Sequence, residues 1–162
     1  MPPSILQVNI SGGGVPKHAV PQAVVTRLGI AGDSHAHPEV HGGPNKALLL
    51  ITSEGIAELT AHGYPLFHGA LGENLTTQGL DRRSMQIGQR YRVGEIVIEL
   101  TRIRTPCKTI KVYGADIGKA VYDNAVKDGD AASPRWGLSG FYSAVITPGT
   151  VRAGDPVELL RP

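Results

Sequence analysis

Hydrophobic and polar positions along this chain form short strand-like stretches separated by turns. Stretches of this kind, rich in β-branched residues and often alternating, are typical of half-buried strands. They are "SILQVNI" (4–10), "ENLTT" (73–77), "RYRV" (90–93), "EIVIELTRI" (95–103), "FYSAVI" (141–146) and "PVELL" (156–160). The unbroken apolar run "KALLLI" (46–51) predicts a strand buried on both faces. The segment 18–30 is expected to contribute one or two further strands.

Two segments have helical spacing instead. "EGIAELTAHG" follows Ser53, which predicts a short helix with Ser53 as its N-cap and Gly63 just beyond its end. A second helix is expected within 115–129. Because strands outnumber helices and no regular strand–helix–strand spacing exists, the pattern predicts a mostly β fold. We expect an antiparallel, barrel-like sheet with helices covering its openings.

Composition narrows the class of protein. The 162 residues include 21 glycines and 12 prolines spread along the chain, which predicts many turns within a single domain, 1–162. A net charge of +2 is too small to indicate nucleic-acid binding. The sequence shows no apolar run of membrane-spanning length and no leader pattern at its N-terminus. Its one cysteine favours a reducing compartment, so we expect a soluble cytoplasmic protein.

That cysteine, Cys107, lies in "RIRTPCKTIK" (102–111) among concentrated positive charge. With Thr105 as N-cap and Pro106 as the first helical residue, Cys107 would occupy the first turn of a helix. Nearby cations favour the reactive thiolate form of cysteine. They are Arg102, Arg104, Lys108 and Lys111. The pattern therefore indicates a nucleophilic or metal-binding thiol. The alternative is a small buried apolar residue, which is the usual environment of a free cysteine.

A histidine cluster offers different chemistry. His35, His37 and His41 lie within "GDSHAHPEVHGGPNKA" (32–47), and three imidazoles are able to form a zinc site with an open position. The spacing does not match a well-defined zinc motif, so the alternative is a loop ordered by hydrogen bonds of Asp33 and His41. Gly42 and Gly43 favour close approach of the backbone to a ligand.

Three further side chains are candidates for ligand binding. In "GALGENLTT" (69–77), Glu73 and Asn74 together match the donor–acceptor edge of a pterin or purine. The alternative is that Asn74 orders a turn and Glu73 is solvated. Arg135, beside the only tryptophan, is a candidate phosphate ligand or an ordinary surface arginine. Motifs for a P-loop, a dinucleotide-binding fold and an α/β-hydrolase nucleophile are missing from the sequence.

Taken in order, these stretches resemble the MOSC domain, the C-terminal domain of molybdenum cofactor sulfurases and its stand-alone bacterial relatives. The similarity spans about residues 29–160. It is carried by "GIAGDSHAH", "VHGGPNKALLL", "GALGENLTTQGL", "IGQRYRVGEIVIELTRIRTPC" and "GLSGFYSAVITPGTVRAGDPVEL". Two features depart from the family pattern: the glutamine of "IGQ" (87–89) and the His35-x-His37 pair.

The resemblance implies a mostly β, barrel-like fold that binds the molybdenum cofactor (molybdopterin) or carries sulfur to it. Cys107 then corresponds to the family's persulfide carrier or molybdenum ligand. Residues expected to line the cofactor pocket are His41, Gly42, Gly43, Glu73, Asn74, Arg104, Lys108 and Arg135. An external sulfur or electron donor protein is also expected, because the longer relatives' other domains are missing from this sequence.

Three functions follow as hypotheses. The first is a small molybdoenzyme that acts on N-hydroxylated or related N–O substrates. The second is a carrier of persulfide sulfur or of the whole cofactor. The third is a zinc hydrolase that uses His35, His37 and His41.

Overall fold

The computed structural model describes residues 2–33 and 43–162. Strands dominate this part of the chain, which confirms the predicted mostly β fold with a few short helices. The strands are β1 (Ser4–Ile10), β2 (His18–Val20), β3 (Gln22–Thr26), β4 (Gly29–Ile30), β5 (Leu48–Thr52), β6 (Leu75–Gln78), β7 (Arg90–Val93), β8 (Ile96–Ile103), β9 (Phe141–Thr147), β10 (Gly149–Arg152) and β11 (Val157–Leu160).

Eight of these strands form one sheet in the order β11-β7-β8-β9-β5-β6-β1-β2. Neighbouring strands run antiparallel except for β5 and β6, which are parallel. The expectation of a barrel needs correction, because β11 and β2 remain edge strands and the sheet is open. An isolated bridge between Ser4 and Pro156, with backbone hydrogen bonds beside it, joins the start of β1 to the start of β11 without a continuous strand pairing.

A second, three-stranded sheet has the order β10-β3-β4. Its centre is β3, where buried Ala23 and Val25 alternate with exposed residues. The sequence patterning placed one or two strands in 18–30, whereas the structure has three. Strand β10 lies between the predicted strands 141–146 and 156–160, where the patterning predicted no strand. Its pairing with β3 comes from residues more than a hundred positions away, which local patterning does not report.

The apolar run at β5 is buried on both faces, as its composition predicted. Leu48 and Leu50 belong to the main core, which β1, β7, β8 and β9 also line. Ile51 packs instead in a second cluster with Ile56 and Leu59 of the helix that follows. Strand β5 therefore lies between two apolar clusters. Packing on both of its faces fixes the position of the residues at its ends.

Helix α1 (Ser53–Ala61) begins at Ser53, the residue predicted to be its cap, and so starts one residue earlier than expected. The Thr52 side chain accepts a hydrogen bond from the Gly55 amide at 3.1 Å, so Thr52 is the N-cap and Ser53 is already helical. Gly63 follows the C-cap with a φ of 101°, as expected for a glycine that ends a helix.

The helix expected in 115–129 is divided into α2 (Ile117–Val121) and α3 (Asn124–Lys127). The Asp123 carboxylate accepts a hydrogen bond from the Val126 amide at 2.8 Å, which starts a new helix at that point. Short 3₁₀ helices span Pro44–Lys46, Arg82–Ser84 and Lys108–Tyr113. None of the helices in the described ranges has the length and apolar character needed to cross a membrane.

Candidate functional site

Cys107 lies in the segment that follows the end of β8. After β8 the chain passes through Arg104, Thr105 and Pro106, and Cys107 is the N-cap of the 3₁₀ helix Lys108–Tyr113. The sequence predicted Cys107 inside the first turn of a helix, but the 3₁₀ helix begins at Lys108, directly after Cys107. Cys107 is half-buried, so its sulfur is neither enclosed in the core nor fully solvated.

Thr109 is the nearest polar neighbour of this sulfur. Its Oγ1 lies 2.8 Å from Cys107 Sγ. Burial opposes ionisation of the thiol, but hydrogen bonds from the Thr109 hydroxyl and amide and the charge of Arg104 outweigh it. The pKa of Cys107 is therefore lowered from its ordinary value. A lowered pKa makes the sulfur a better metal ligand and nucleophile near neutral pH.

Arg104 is the buried cation of the site, with 3% of its surface exposed. Its amide donates to the Gly140 carbonyl at 2.9 Å, and its own carbonyl accepts from the Ser139 hydroxyl at 2.6 Å. The guanidinium Nη1 donates to the Leu71 carbonyl at 2.7 Å. These bonds fix the positive charge beside Cys107. Within the described ranges, Nε of Arg104 is buried without a hydrogen-bond partner.

Glu73 is completely buried rather than solvated. Its Oε2 accepts hydrogen bonds from the Gly69 amide at 2.9 Å and the Thr76 hydroxyl at 3.0 Å. Its Oε1 has no hydrogen-bond partner within the described chain. Burial raises the pKa of the Glu73 carboxyl, while these hydrogen bonds and the charge of Arg104 oppose the rise. The unpartnered oxygen is the atom left for the predicted contact with a heterocycle.

Asn74 is equally buried, and its amide group is engaged within the protein. Oδ1 accepts from the Leu49 amide at 3.0 Å, while Nδ2 donates to Asp33 Oδ2 at 2.8 Å and lies 3.4 Å from the Asn9 carbonyl. These contacts match the alternative in which Asn74 orders the chain. To bind a heterocycle, Asn74 would have to give up one of them.

A buried ion pair holds Asp33, which is a hydrogen-bond partner of Asn74. Lys17 Nζ lies 2.6 Å from Asp33 Oδ1, and both side chains are at most 5% exposed. The same Asp33 oxygen accepts from the Ser11 amide at 2.9 Å. Sequence reasoning expected Asp33 to order its turn but missed Lys17, because an isolated lysine gives no local indication that it is buried.

The remaining predicted site residues are more dispersed. Lys108 is exposed at the start of the 3₁₀ helix next to Cys107. Gly43, the residue before the 3₁₀ helix Pro44–Lys46, has a φ of 87°. Arg135 pairs with Asp123 at 3.6 Å and lines a groove with His62 and Tyr64, and no described contact joins it to Cys107.

The predicted zinc residues cannot be compared with the structure. His35, His37, His41 and Gly42 all lie outside the described residues. Within the described ranges, no group of three or more histidine, cysteine or acidic side chains is placed to hold a metal ion. Zinc binding by the histidine cluster therefore stays a prediction.

Besides Thr109, sequence reasoning missed Tyr142 as a neighbour of Cys107. Burial raises the pKa of the Tyr142 hydroxyl, whose charged neighbours include Arg104 and Cys107. The Lys46 ammonium lies 5.5 Å from the centre of the Tyr142 ring. Strand pairing brings Tyr142 opposite Arg102, a juxtaposition that requires the register of β8 and β9.

The arrangement combines a half-buried soft sulfur with a lowered pKa, a fixed guanidinium, and unpartnered polar atoms on Arg104 and Glu73. Thiolate is a soft ligand that suits soft metal centres, and a buried cation stabilises it as an anion. The site is thus equipped to hold an anionic sulfur for metal binding or for sulfur transfer.

Comparison with known proteins identifies the family. The model of the MOSC domain matches residues 37–158. YiiM of Escherichia coli is 29% identical over 163 residues, which cover 98% of this chain and 64% of YiiM. YflK of Bacillus subtilis is 33% identical over 152 residues, covering 91% of this chain and 63% of YflK. The chain thus spans slightly less than two thirds of either relative.

A protein of Gibberella moniliformis named "Reductase" is 28% identical over 137 residues, which cover 82% of this chain and 22% of that protein. The crystal structure of Escherichia coli YiiM has a TM-score of 0.69 to this fold at 26% identity, covering 98% of this chain and 70% of that one. The family match and the shared fold lead to one conclusion: this chain belongs to the MOSC domain family, which is associated with molybdenum cofactor binding.

Proposed function

We propose that this chain binds the molybdenum cofactor with Cys107 as the protein ligand to the metal, and that it reduces N-hydroxylated bases or related N–O compounds. One observation carries the proposal: the half-buried sulfur of Cys107 has a lowered pKa and lies beside the buried guanidinium of Arg104. A cytoplasmic location agrees with the need to keep this single thiol reduced.

The residues present fit the cofactor. Arg104 Nε and Glu73 Oε1 are a donor and an acceptor that are buried and lack partners in the described chain. Buried polar atoms of this kind are costly unless a ligand or water satisfies them. A polar heterocycle with donors and acceptors on its edge, such as a pterin, meets this need.

Each residue then has a defined task. Cys107 supplies the anionic sulfur, Thr109 donates a hydrogen bond to it, and Arg104 stabilises its charge. Glu73 is assigned to the heterocycle, together with Asn74 if it gives up one of its present hydrogen bonds. Lys108 and Arg135 are assigned to the phosphate, and His41, Gly42 and Gly43 stay predicted cofactor contacts. When bound, the molybdenum centre supplies two-electron redox chemistry.

The overall reaction is balanced by an external reductant. Reduction of an N-hydroxylated base consumes two electrons and two protons, cleaves the N–O bond, and releases the amine and water. Among the described residues there is no second thiol to supply the electrons as a dithiol. An electron donor protein therefore has to provide them. The likeness to the Gibberella moniliformis protein named "Reductase" supports a reductive reaction.

A sulfur carrier is the second candidate, and the same thiol favours it. A lowered pKa increases the fraction of thiolate at Cys107, which is only half-buried. In this role the Cys107 thiolate would attack the outer sulfur of a donor's persulfide, break the donor's S–S bond and release the donor's thiolate. Cys107 would then hold one extra sulfur atom and pass it on, with no metal bound to the chain.

The test is to purify the wild type and Cys107→Ser from a host with an active cofactor pathway. We expect about one molybdenum per wild-type chain, and at least a tenfold loss in Cys107→Ser. Both proteins should unfold within about 1 kcal/mol of each other, because a half-buried thiol-to-hydroxyl change is small. Metal analysis, pterin fluorescence and urea denaturation provide these measurements.

Thr105→Ser is the matched control, since Thr105 is an exposed neighbour on the same segment. Mass spectrometry tests the carrier function on the same wild-type protein. If the wild type contains no molybdenum and its Cys107 carries one extra sulfur atom, the enzyme hypothesis is rejected in favour of the sulfur carrier. Stoichiometric zinc that survives Cys107→Ser but is lost in His35→Ala would indicate the zinc hydrolase instead.

A further inference from the structure

An apolar groove opens beside the sulfur of Cys107. It encloses about 570 Å³ between the turn Gly13–Pro16 on one side and Phe67, Thr109, Val112 and Tyr113 on the other. Thr109 belongs to both sites, because it lines the groove and its hydroxyl lies 2.8 Å from Cys107 Sγ. One side chain therefore separates the groove from the sulfur.

The groove exposes large apolar side chains. Val112 is 73% exposed and Phe67 is 46% exposed, although Phe67 also packs edge-to-face on Tyr113 with ring centres 6.3 Å apart. A single exposed apolar residue needs no explanation, but apolar residues grouped around a concave surface are typical of a binding site.

Positive charge borders this groove. Lys108 and Lys111 are exposed on the 3₁₀ helix that also carries Val112. Between residues 100 and 115 the chain has four cations and no carboxylate, so the remainder carries a net charge of −2. The basic character of this protein is thus concentrated around Cys107. An apolar centre with a charged rim is the usual anatomy of a protein interface.

We propose that this groove and Lys111 form the docking surface for an acidic electron-carrier protein. This inference rests on the proposed reductase function, which requires two electrons per N–O bond cleaved. The carrier is oxidised by those two electrons in total, while the two protons come from solvent. An apolar side chain of the carrier occupies the groove, and a carboxylate of the carrier faces Lys111.

Charge complementarity selects this occupant. Positive charge beside an apolar groove attracts an acidic protein, accelerates its association and orients it. A small neutral substrate would gain little from Lys111, which is exposed. A carrier docked in this groove lies next to Thr109, whose hydroxyl is 2.8 Å from Cys107 Sγ.

The test compares two reductants on the molybdenum-loaded enzyme with an N-hydroxylated base. The first is reduced flavodoxin, an acidic carrier, and the second is saturating reduced methyl viologen. We expect Lys111→Glu to lower kcat/KM for flavodoxin about tenfold at low salt, with the deficit shrinking as salt is added. We expect Val112→Ser to lower it about fivefold without a salt dependence. Neither change should alter turnover with methyl viologen.

Arg83→Glu is the matched control, because Arg83 is exposed and lines a separate groove with Glu54 and Glu58. An equal loss in Lys111→Glu and Arg83→Glu would overturn the docking surface, since only overall charge would then matter. Equal loss with both reductants in Lys111→Glu would also overturn it and assign the lysine to the substrate. A wild type that is inactive with methyl viologen would remove the proposed reductase function itself, and this inference with it.

Discussion

At Cys107, three groups act against the effect of burial on the thiol. The hydroxyl and amide of Thr109 bond to the sulfur, and the guanidinium of Arg104 adds a fixed positive charge. Hydrogen bonds to the ionised form lower the pKa of an acid by stabilising its charge. The Thr109 hydroxyl is the contribution that a single substitution removes with the least change of shape.

We therefore predict that Thr109→Val raises the pKa of Cys107, because a hydrogen bond that stabilises the thiolate is lost. The thiolate forms as the pH rises through this pKa, so the variant reaches full reactivity at a higher pH. At pH 7 its alkylation by iodoacetamide should be roughly three- to tenfold slower, measured as rate against pH. Thr105→Val serves as the control. An unchanged midpoint in Thr109→Val would mean that the hydroxyl does not act on the sulfur.

The sequence indicated the reactive residue but not the groups that control it. Cys107 and Arg104 stand out because a proline and several cations surround a lone thiol in the chain itself. Lys17 gave no such signal, since its burial depends on Asp33, which lies in a different segment of the chain. Polar residues are usually exposed, so local reasoning overlooked Lys17 and kept a solvated Glu73 as the alternative to a ligand contact.

At the scale of elements, the loop between α1 and β6 holds the site together. Its residue Leu71 binds Arg104, and Glu73 and Asn74 follow directly. The loop closes through Gly69, whose amide donates to Glu73 and whose carbonyl accepts from the Lys17 amide at 2.8 Å. Gly69 has a φ of 97°, and an added Cβ would overlap the Lys17 carbonyl oxygen.

We predict that Gly69→Ala lowers the free energy of unfolding by about 3 kcal/mol or more, because strain and overlap act together. Gly63→Ala has a similar φ of 101° but open space around the added Cβ, so about 1 kcal/mol is expected. Gly12→Ala has neither problem and should be nearly neutral. Urea denaturation of the three variants measures this order. A Gly69→Ala protein as stable as Gly63→Ala would contradict it.

Elements with a strong local pattern were predicted well. β1, β7 and β8 lie close to where alternation placed them, and β5 is buried as its apolar run required. The divided helix and strand β10 were missed for physical reasons. Asp123 caps a new helix inside a continuous periodic pattern, and β10 exists through its pairing with β3.

At the scale of the whole molecule, backbone hydrogen bonds link the start of β11, at one edge of the main sheet, to the start of β1, the strand next to the opposite edge. The Val157 amide donates to the Pro3 carbonyl at 3.0 Å, and the Ile5 amide donates to the Asp155 carbonyl at 2.8 Å. Val157 is buried in the main core, and β11 covers the edge of β7. The last strand therefore closes one side of the core although the sheet remains open.

We predict that removing residues 156–162 lowers the thermal midpoint by about 10 °C, since burial of Val157 and the β7–β11 ladder are lost, together about 3 kcal/mol or more. Removing only 161–162 should leave the midpoint unchanged, because both residues are exposed and outside β11. Circular dichroism during heating measures both. Equal midpoints for the two truncations would show that β11 contributes nothing to closure.

One wall of the groove beside the sulfur comes from a distant part of the chain. Cys107 is positioned through Arg104, Ser139 and Leu71, whereas that wall is the turn Gly13–Pro16. Under the proposed function, exchanging this turn for another sequence is expected to change which protein docks. The side chains assigned to the sulfur would stay in place, so partner choice would be open to redesign separately from the chemistry at Cys107.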